Sequence, residues 1–198
     1  MNNKTQRHSI KILLLGKTKS GKTTLAYRLL HDKFIEIELP TNGTSYCSKL
    51  YYIFNKQIKI EIWDIEGNME NIILSQIIAK NINIFLLLLD LTDINSLNNI
   101  KYYYENIKRE NKNHIFIILI GNKNDEIDKR EIYKDDIDNF TKQYKIPYFE
   151  ISCKNGKNIK ELENYLCHVS FQFFTNSKSK PKFKSLINPE KNKICLIY

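Results

Sequence analysis

The chain has 198 residues and a net charge of +9, with 42% apolar residues and 27% charged ones. That length supports one folded domain with a sizeable core, and the composition excludes a disordered or fibrous chain. The longest apolar run, Ile84 to Leu89, ends in Asp90 and is too short to cross a bilayer. Cys47, Cys153, Cys167 and Cys195 follow neither metal-site nor disulfide-scaffold spacing, so a reducing, cytoplasmic setting is expected. The polar N-terminus gives no sign of a signal peptide.

Ser9 to Leu15 reads as a buried strand, Gly16 to Gly21 as a break, and Lys22 to His31 as a helix. Lys33 to Ser48 has no period and contains Pro40 and Gly43, which predicts a long loop. Lys49 to Phe54 and Ile58 to Asp64 form an expected hairpin turning at Asn55-Lys56. A second loop and a short helix are expected over Ile65 to Ala79. Next come a strand at Ile84 to Leu89, a helix at Ser96 to Asn111 and a strand at Ile115 to Ile120. A helix at Tyr133 to Lys145, a strand at Tyr148 to Ile151 and a helix at Ile159 to Phe174 complete the pattern.

Strands alternating with helices after one hairpin predict an α/β fold. Its six-stranded sheet should be mostly parallel, with one antiparallel edge strand and helices on both faces. The expected organisation is a flexible N-terminus over 1–7, one domain over 8–174 and a tail over 175–198. The tail carries six lysines and one glutamate, so +5 of the total charge. Such a tail suits an acidic membrane surface, or is simply solvated.

Gly16-Lys17-Thr18-Lys19-Ser20-Gly21-Lys22-Thr23 fits G-x-x-x-x-G-K-[ST] and lies between a strand and a helix. Glycines let the backbone wrap phosphates with its N–H groups inward, and the helix N-terminus adds positive potential. Lys22 should reach the β- and γ-phosphates, and Thr23 should bind Mg²⁺. Asp64, at a strand end, can hold the same metal. Gly67 can bring a bare N–H to a γ-phosphate.

Asn122-Lys123-Asn124-Asp125 follows the strand ending at Ile120. A carboxylate there can accept from the N1–H and exocyclic amine of guanine, and the Lys123 stem can cover one face of the base. Ser152-Cys153-Lys154 follows the next strand, and the Cys153 N–H could donate to guanine O6. By itself N-K-x-D is as easily a polar turn. In order with the phosphate loop, Asp64-x-x-Gly67 and S-C-K, it sits where open α/β sheets bind ligands.

This order resembles the Ras superfamily of small GTPases over roughly residues 8–175, and several segments resemble its Rab branch. Ile62-Trp63-Asp64 is similar to I-W-D-T-A-G-Q. Asp90-Leu91-Thr92-Asp93 with Ser96-Leu97-Asn98-Asn99-Ile100 is similar to D-V-T-D…S-F-N-N-V. Ile146-Pro147 with Glu150 to Lys154 is similar to I-P-F-x-E-T-S-A-K. The resemblance implies a P-loop nucleotide-binding domain that takes GTP or GDP with Mg²⁺ and hydrolyses GTP. Gly16, Lys19, Ser20, Gly21, Lys22, Thr23 and Thr24 would surround the phosphates. Phe34 would pack on the guanine edge, beside Asn122, Lys123, Asp125, Ser152, Cys153 and Lys154. Thr41, with Thr23 and Asp64, would hold the metal, and Lys22, Thr41, Gly67 and Asn68 would serve hydrolysis. It also implies effectors, an exchange factor and an activating protein as partners, and a monomer.

Several positions depart from the pattern. Asn68 stands where the family has a glutamine that orients water, and it is one methylene shorter. Glu66 replaces an alanine near the phosphates, and Lys19 replaces a glycine; the two charges are expected to compensate in part. In the first switch, Asn42 and Thr44 replace apolar residues. Cys195-Leu196-Ile197-Tyr198 has the C-a-a-X form, so lipidation of Cys195 and attachment to the cytosolic face of an intracellular membrane are expected.

A GTP-holding scaffold that barely hydrolyses is the second reading. Nucleic-acid binding is not expected, since the lysines gather in the tail without a stacking motif. A nucleotide kinase would leave N-K-x-D and S-C-K without purpose. His8, His31, His114 and His168 lack partner spacing and read as surface or packing residues. Tyr102 to Tyr104 read as core and rim, and Cys153 as packing.

Overall fold

The structure is a computed structural model that describes residues 8–36, 43–53, 56–65, 81–110 and 115–175. Six strands form one sheet: β1 (His8–Leu15), β2 (Thr44–Ile53), β3 (Lys56–Ile65), β4 (Ile84–Asp90), β5 (Phe116–Asn122) and β6 (Tyr148–Glu150). Helices α1 (Lys22–His31), α2 (Ser96–Glu110), α3 (Lys134–Tyr144) and α4 (Ile159–Thr175) pack on it. The order is β2-β3-β1-β4-β5-β6, with only the edge strand β2 antiparallel to its neighbour. This is the α/β architecture expected from the sequence.

Strand periodicity splits the core into two layers. Ile10, Ile12 and Leu14 of β1, with Leu86 and Leu88 of β4, face Leu25 of α1 and Leu162 and Leu166 of α4. Leu13, Leu15, Phe85 and Leu87 face Ile100 and Ile107 of α2 and Ile137 and Phe140 of α3. The central strands are covered on both sides, which explains their continuous apolar runs. Each fully buried Leu or Ile contributes about 1.5–3 kcal/mol.

The described part of the expected 33–48 loop is shorter than predicted. β2 begins at Thr44, because antiparallel pairing runs from Thr44 opposite Ile65 to Ile53 opposite Lys56. Thr44, Ser45 and Tyr46 are exposed on an edge strand, so no apolar alternation announces them. Of the turn expected at Asn55-Lys56, Lys56 instead opens β3, where it pairs with Ile53, and Asn55 lies outside the described residues, as do the short helix expected after Ile65 and the ends 1–7 and 176–198. Helix α3 starts where the Asp136 carboxylate accepts from the Tyr133 N–H at 3.1 Å, and it stops at Lys145 in the left-handed region, φ 52°. Tyr103 is buried and Tyr102 half exposed, as the core-and-rim reading expects.

Candidate nucleotide-binding site

The carboxyl ends of β1, β4, β5 and β6 deliver four described loops to one end of the sheet, where Asp64 of β3 also lies. The first, Gly16 to Gly21, turns from β1 into α1. A Cβ on Gly16 would meet the Leu88 carbonyl oxygen at 2.5 Å and Ser20 Oγ at 2.8 Å. Gly21 has φ +96°, and a Cβ there would overlap the Asn122 side-chain amide. Both positions therefore need glycine. Lys19 also holds a left-handed conformation, φ 68°, at a non-glycine residue. The Ser20 N–H donates to the Lys17 carbonyl at 3.1 Å, tightening the loop. Lys22 is 7% exposed, and its ammonium donates to the Gly16 carbonyl and, at 3.3 Å, to that of Lys17. The loop thus closes around its own cation.

Thr23 Oγ1 donates to Asp64 Oδ2 at 2.5 Å. Asp64 is fully buried, and among the described residues its Oδ1 has no hydrogen bond of good geometry. Burial pushes its carboxyl up from the ordinary value, against the pull of the Thr23 hydroxyl and the Lys22 ammonium. A hydroxyl and a buried carboxylate are hard oxygen donors suited to Mg²⁺. Thr41, the third expected ligand, lies outside the described residues, as do Glu66, Gly67 and Asn68.

The base loop follows β5. Asn122 is 2% exposed and joins two loops: its Nδ2 donates to the Ser20 carbonyl at 2.9 Å, and its Oδ1 accepts from the Cys153 N–H at 3.2 Å. The Cys153 N–H, expected to face guanine O6, thus already has a protein acceptor. Asp125 Oδ1 accepts from the buried Ser152 hydroxyl at 2.5 Å, which in turn accepts from the Asn155 N–H at 3.1 Å. Two segments separated by 27 residues are thereby locked together. Burial raises the Cys153 thiol to about 12, in keeping with a packing role. Lys154 is exposed, Thr24 lies half-buried in the first turn of α1, and Phe34 is 39% exposed just past α1 rather than tucked into the core.

Sequence reasoning missed a fourth contributor, the loop after β4. Asp90 Oδ2 pairs with Lys123 Nζ at 2.5 Å, while its Oδ1 accepts from the Thr92 N–H and hydroxyl at 3.0 and 2.7 Å. Asp93 pairs with Lys17 of the phosphate loop at 2.6 Å. Lys123 is itself at φ 68°, so the ion pair holds its stem on a strained backbone. The available signal was position: Asp90 ends a strand on the same edge as the other loops. Beneath the base loop, Arg130 grips Glu150 with two bonds of 2.8 and 2.9 Å, and Tyr148 donates to Glu150 at 2.8 Å.

The arrangement can wrap a string of phosphates at one end and offer a carboxylate to a base at the other. A family model of the Ras family matches residues 11–169, well over half of the chain. The protein belongs to the Ras family of small GTPases, guanine-nucleotide-binding molecular switches.

Proposed function

We infer that this protein binds GTP and GDP with Mg²⁺, hydrolyses GTP, and works as a Rab-like switch in intracellular membrane traffic. The observation that carries the nucleotide reading is the Asn122 bridge from the phosphate loop to the S-C-K loop, which holds a phosphate cradle and a base reader in one frame. The folded domain spans 8–174, with 1–7 and the basic tail 175–198 as flanks.

In this reading Gly16 to Gly21 present backbone N–H groups to the phosphates, and Ser20, Lys22, Thr23 and Thr24 complete the contact. Lys19 adds positive charge at the rim. Thr23, Thr41 and Asp64 hold Mg²⁺, which neutralises charge developing on the phosphate oxygens. Lys22 stabilises the same charge, and Gly67 donates its N–H to the γ-phosphate. Asn68 orients the attacking water from a shorter arm, so intrinsic turnover is slow and an activating protein completes the site. Asp125 reads the guanine edge, Lys123 and Phe34 flank the base, and Ser152, Cys153 and Lys154 close the pocket. Release of Thr41 and Gly67 on hydrolysis switches effector binding. The basic tail and a lipidated Cys195 would hold the protein on the cytosolic face of a membrane.

A second reading is favoured by Glu66 and Asn68: a protein that keeps GTP and recruits effectors without turning over. Single-turnover release of labelled γ-phosphate from the GTP-loaded protein separates the two. Release with GDP left bound supports the switch, and retained GTP without release supports the scaffold.

A further inference from the structure

The second edge of the sheet carries an unfinished ladder. β6 spans three residues and pairs only with Leu119 to Gly121 of β5. Along β5 the hydrogen bonds alternate. Phe116 donates to Asn83 on the β4 side, whereas Leu119 donates to the Pro147 carbonyl and Gly121 accepts from Ile151 on the β6 side. By this alternation the N–H and C=O of Ile117 face the β6 side. The next ladder bond back would need an N–H from residue 147, which is proline and has none. No described residue pairs with the backbone of Ile117 on that side.

This open edge faces a groove of about 690 Å³. Tyr144 and Ile146, at and beyond the end of α3, and Tyr165 of α4 give it apolar walls. Its charged lining is Lys108, Lys142 and Lys145 against the single Asp138. Asp138 sits 3.8 Å from Lys142 in an exposed pair, which leaves the net charge of the rim positive. The groove lies at the start of β5, about 20 Å from Asn122 at a rise of ~3.3 Å per residue.

We propose that this groove is a docking site for an extended, acidic segment of another protein, which adds a strand beside Ile117 in the place that a longer β6 would fill. Ile117 is 5% exposed, so the segment reaches its unpaired main chain from within the groove; main-chain bonds there give affinity, and alternate side chains enter the apolar walls. Acidic residues of the segment pair with Lys108, Lys142 and Lys145. Charge selects this occupant over the alternatives. The tail after Thr175 carries six lysines and one glutamate, the start of the chain carries Lys4 and Arg7, and a second copy brings +9.

The test uses the full chain loaded with GDP and a fluorescent synthetic peptide alternating valine and glutamate. Binding followed by anisotropy should saturate, and a valine–lysine peptide should not bind. The double substitution Lys142→Glu with Lys145→Glu should weaken binding by at least about tenfold and leave GDP dissociation unchanged. Methylating alternate backbone nitrogens of the peptide should also abolish binding. Equal binding by parent and double variant, undiminished binding of the methylated peptide, or no binding would overturn the proposal. So would a dimer dispersed by the lysine substitutions, which would make a second copy the occupant. Binding only after Ile194→Asp and Leu196→Asp would likewise assign the groove to the tail.

Discussion

The side-chain amide of Asn122 donates to the carbonyl of Ser20 across 102 residues of sequence, at 2.9 Å and out of contact with water. The two loops that define the nucleotide site are therefore one mechanical unit. Removing the amide strands the Ser20 carbonyl and the Cys153 N–H, each at about 1–3 kcal/mol. Asn122→Ala should raise the GDP dissociation rate by about 10- to 100-fold and lower Tm, measured by release of a fluorescent nucleotide and by thermal unfolding.

Gly21 has the same dependency from the other side. At φ +96°, with the Asn122 amide where a Cβ would go, Gly21→Ala must bend the loop or displace Asn122. It should reproduce the Asn122→Ala loss of nucleotide affinity. The double variant should be less than additive, since both substitutions break one bridge. Full additivity in nucleotide dissociation would show that the two act separately.

With Lys123 covering the base as proposed, Asp90 should act on nucleotide affinity through it. Their 2.5 Å pair is mostly shielded from water, so Asp90→Ala leaves a cation without its partner on a strained backbone. GDP affinity should fall by about tenfold, and a Lys123→Met background should shrink the effect of Asp90→Ala to the part that the Thr92 bonds carry. A double-mutant cycle on dissociation rates checks this.

Glu150 gives a pH signature independent of nucleotide chemistry. Arg130 holds its carboxyl below the ordinary value of 4.5, ahead of the opposing effect of burial. A carboxylate depressed in the folded state binds fewer protons than in the unfolded chain, so its contribution is complete above that ordinary value. It is lost as pH falls through the folded value. Glu150→Gln should lower Tm by a constant amount at neutral pH, and the deficit should shrink in acid. A deficit that grows in acid would reverse the assignment.

Asn68 can be tested by lengthening it. Asn68→Gln restores the missing methylene and should speed single-turnover phosphate release, by as much as about 100-fold, with GDP dissociation unchanged. An unchanged rate would show that the length of the side chain at position 68 does not limit hydrolysis.

Much of this was legible in the sequence, for a physical reason. The phosphate loop, N-K-x-D and S-C-K are short linear segments whose chemistry depends on neighbours one to seven residues away. The apolar runs Leu13–Leu15 and Ile84–Leu89 announce strands buried on both faces. The start of β2 was illegible because Thr44 to Tyr46 lie on an exposed edge, where side chains carry no burial pattern. The pairs Asn122 with Ser20, Asp90 with Lys123 and Asp93 with Lys17 were hidden because spacing along a chain does not encode contacts between loops. The open edge at Ile117 needed the sheet register before Pro147 acquired meaning.

The guanine-reading role proposed for Asp125 rests on its lock to Ser152 and on the frame that Asn122 builds. The most direct measurement is displacement of a fluorescent GDP by unlabelled GDP and by ADP, with Mg²⁺ present, on the parent and on Asp125→Ala. GDP should be preferred about 10⁴-fold in the parent, because adenine offers the Asp125 carboxylate no pair of donors, and that preference should be lost in the variant. Comparable displacement by ADP and GDP in the parent would contradict it.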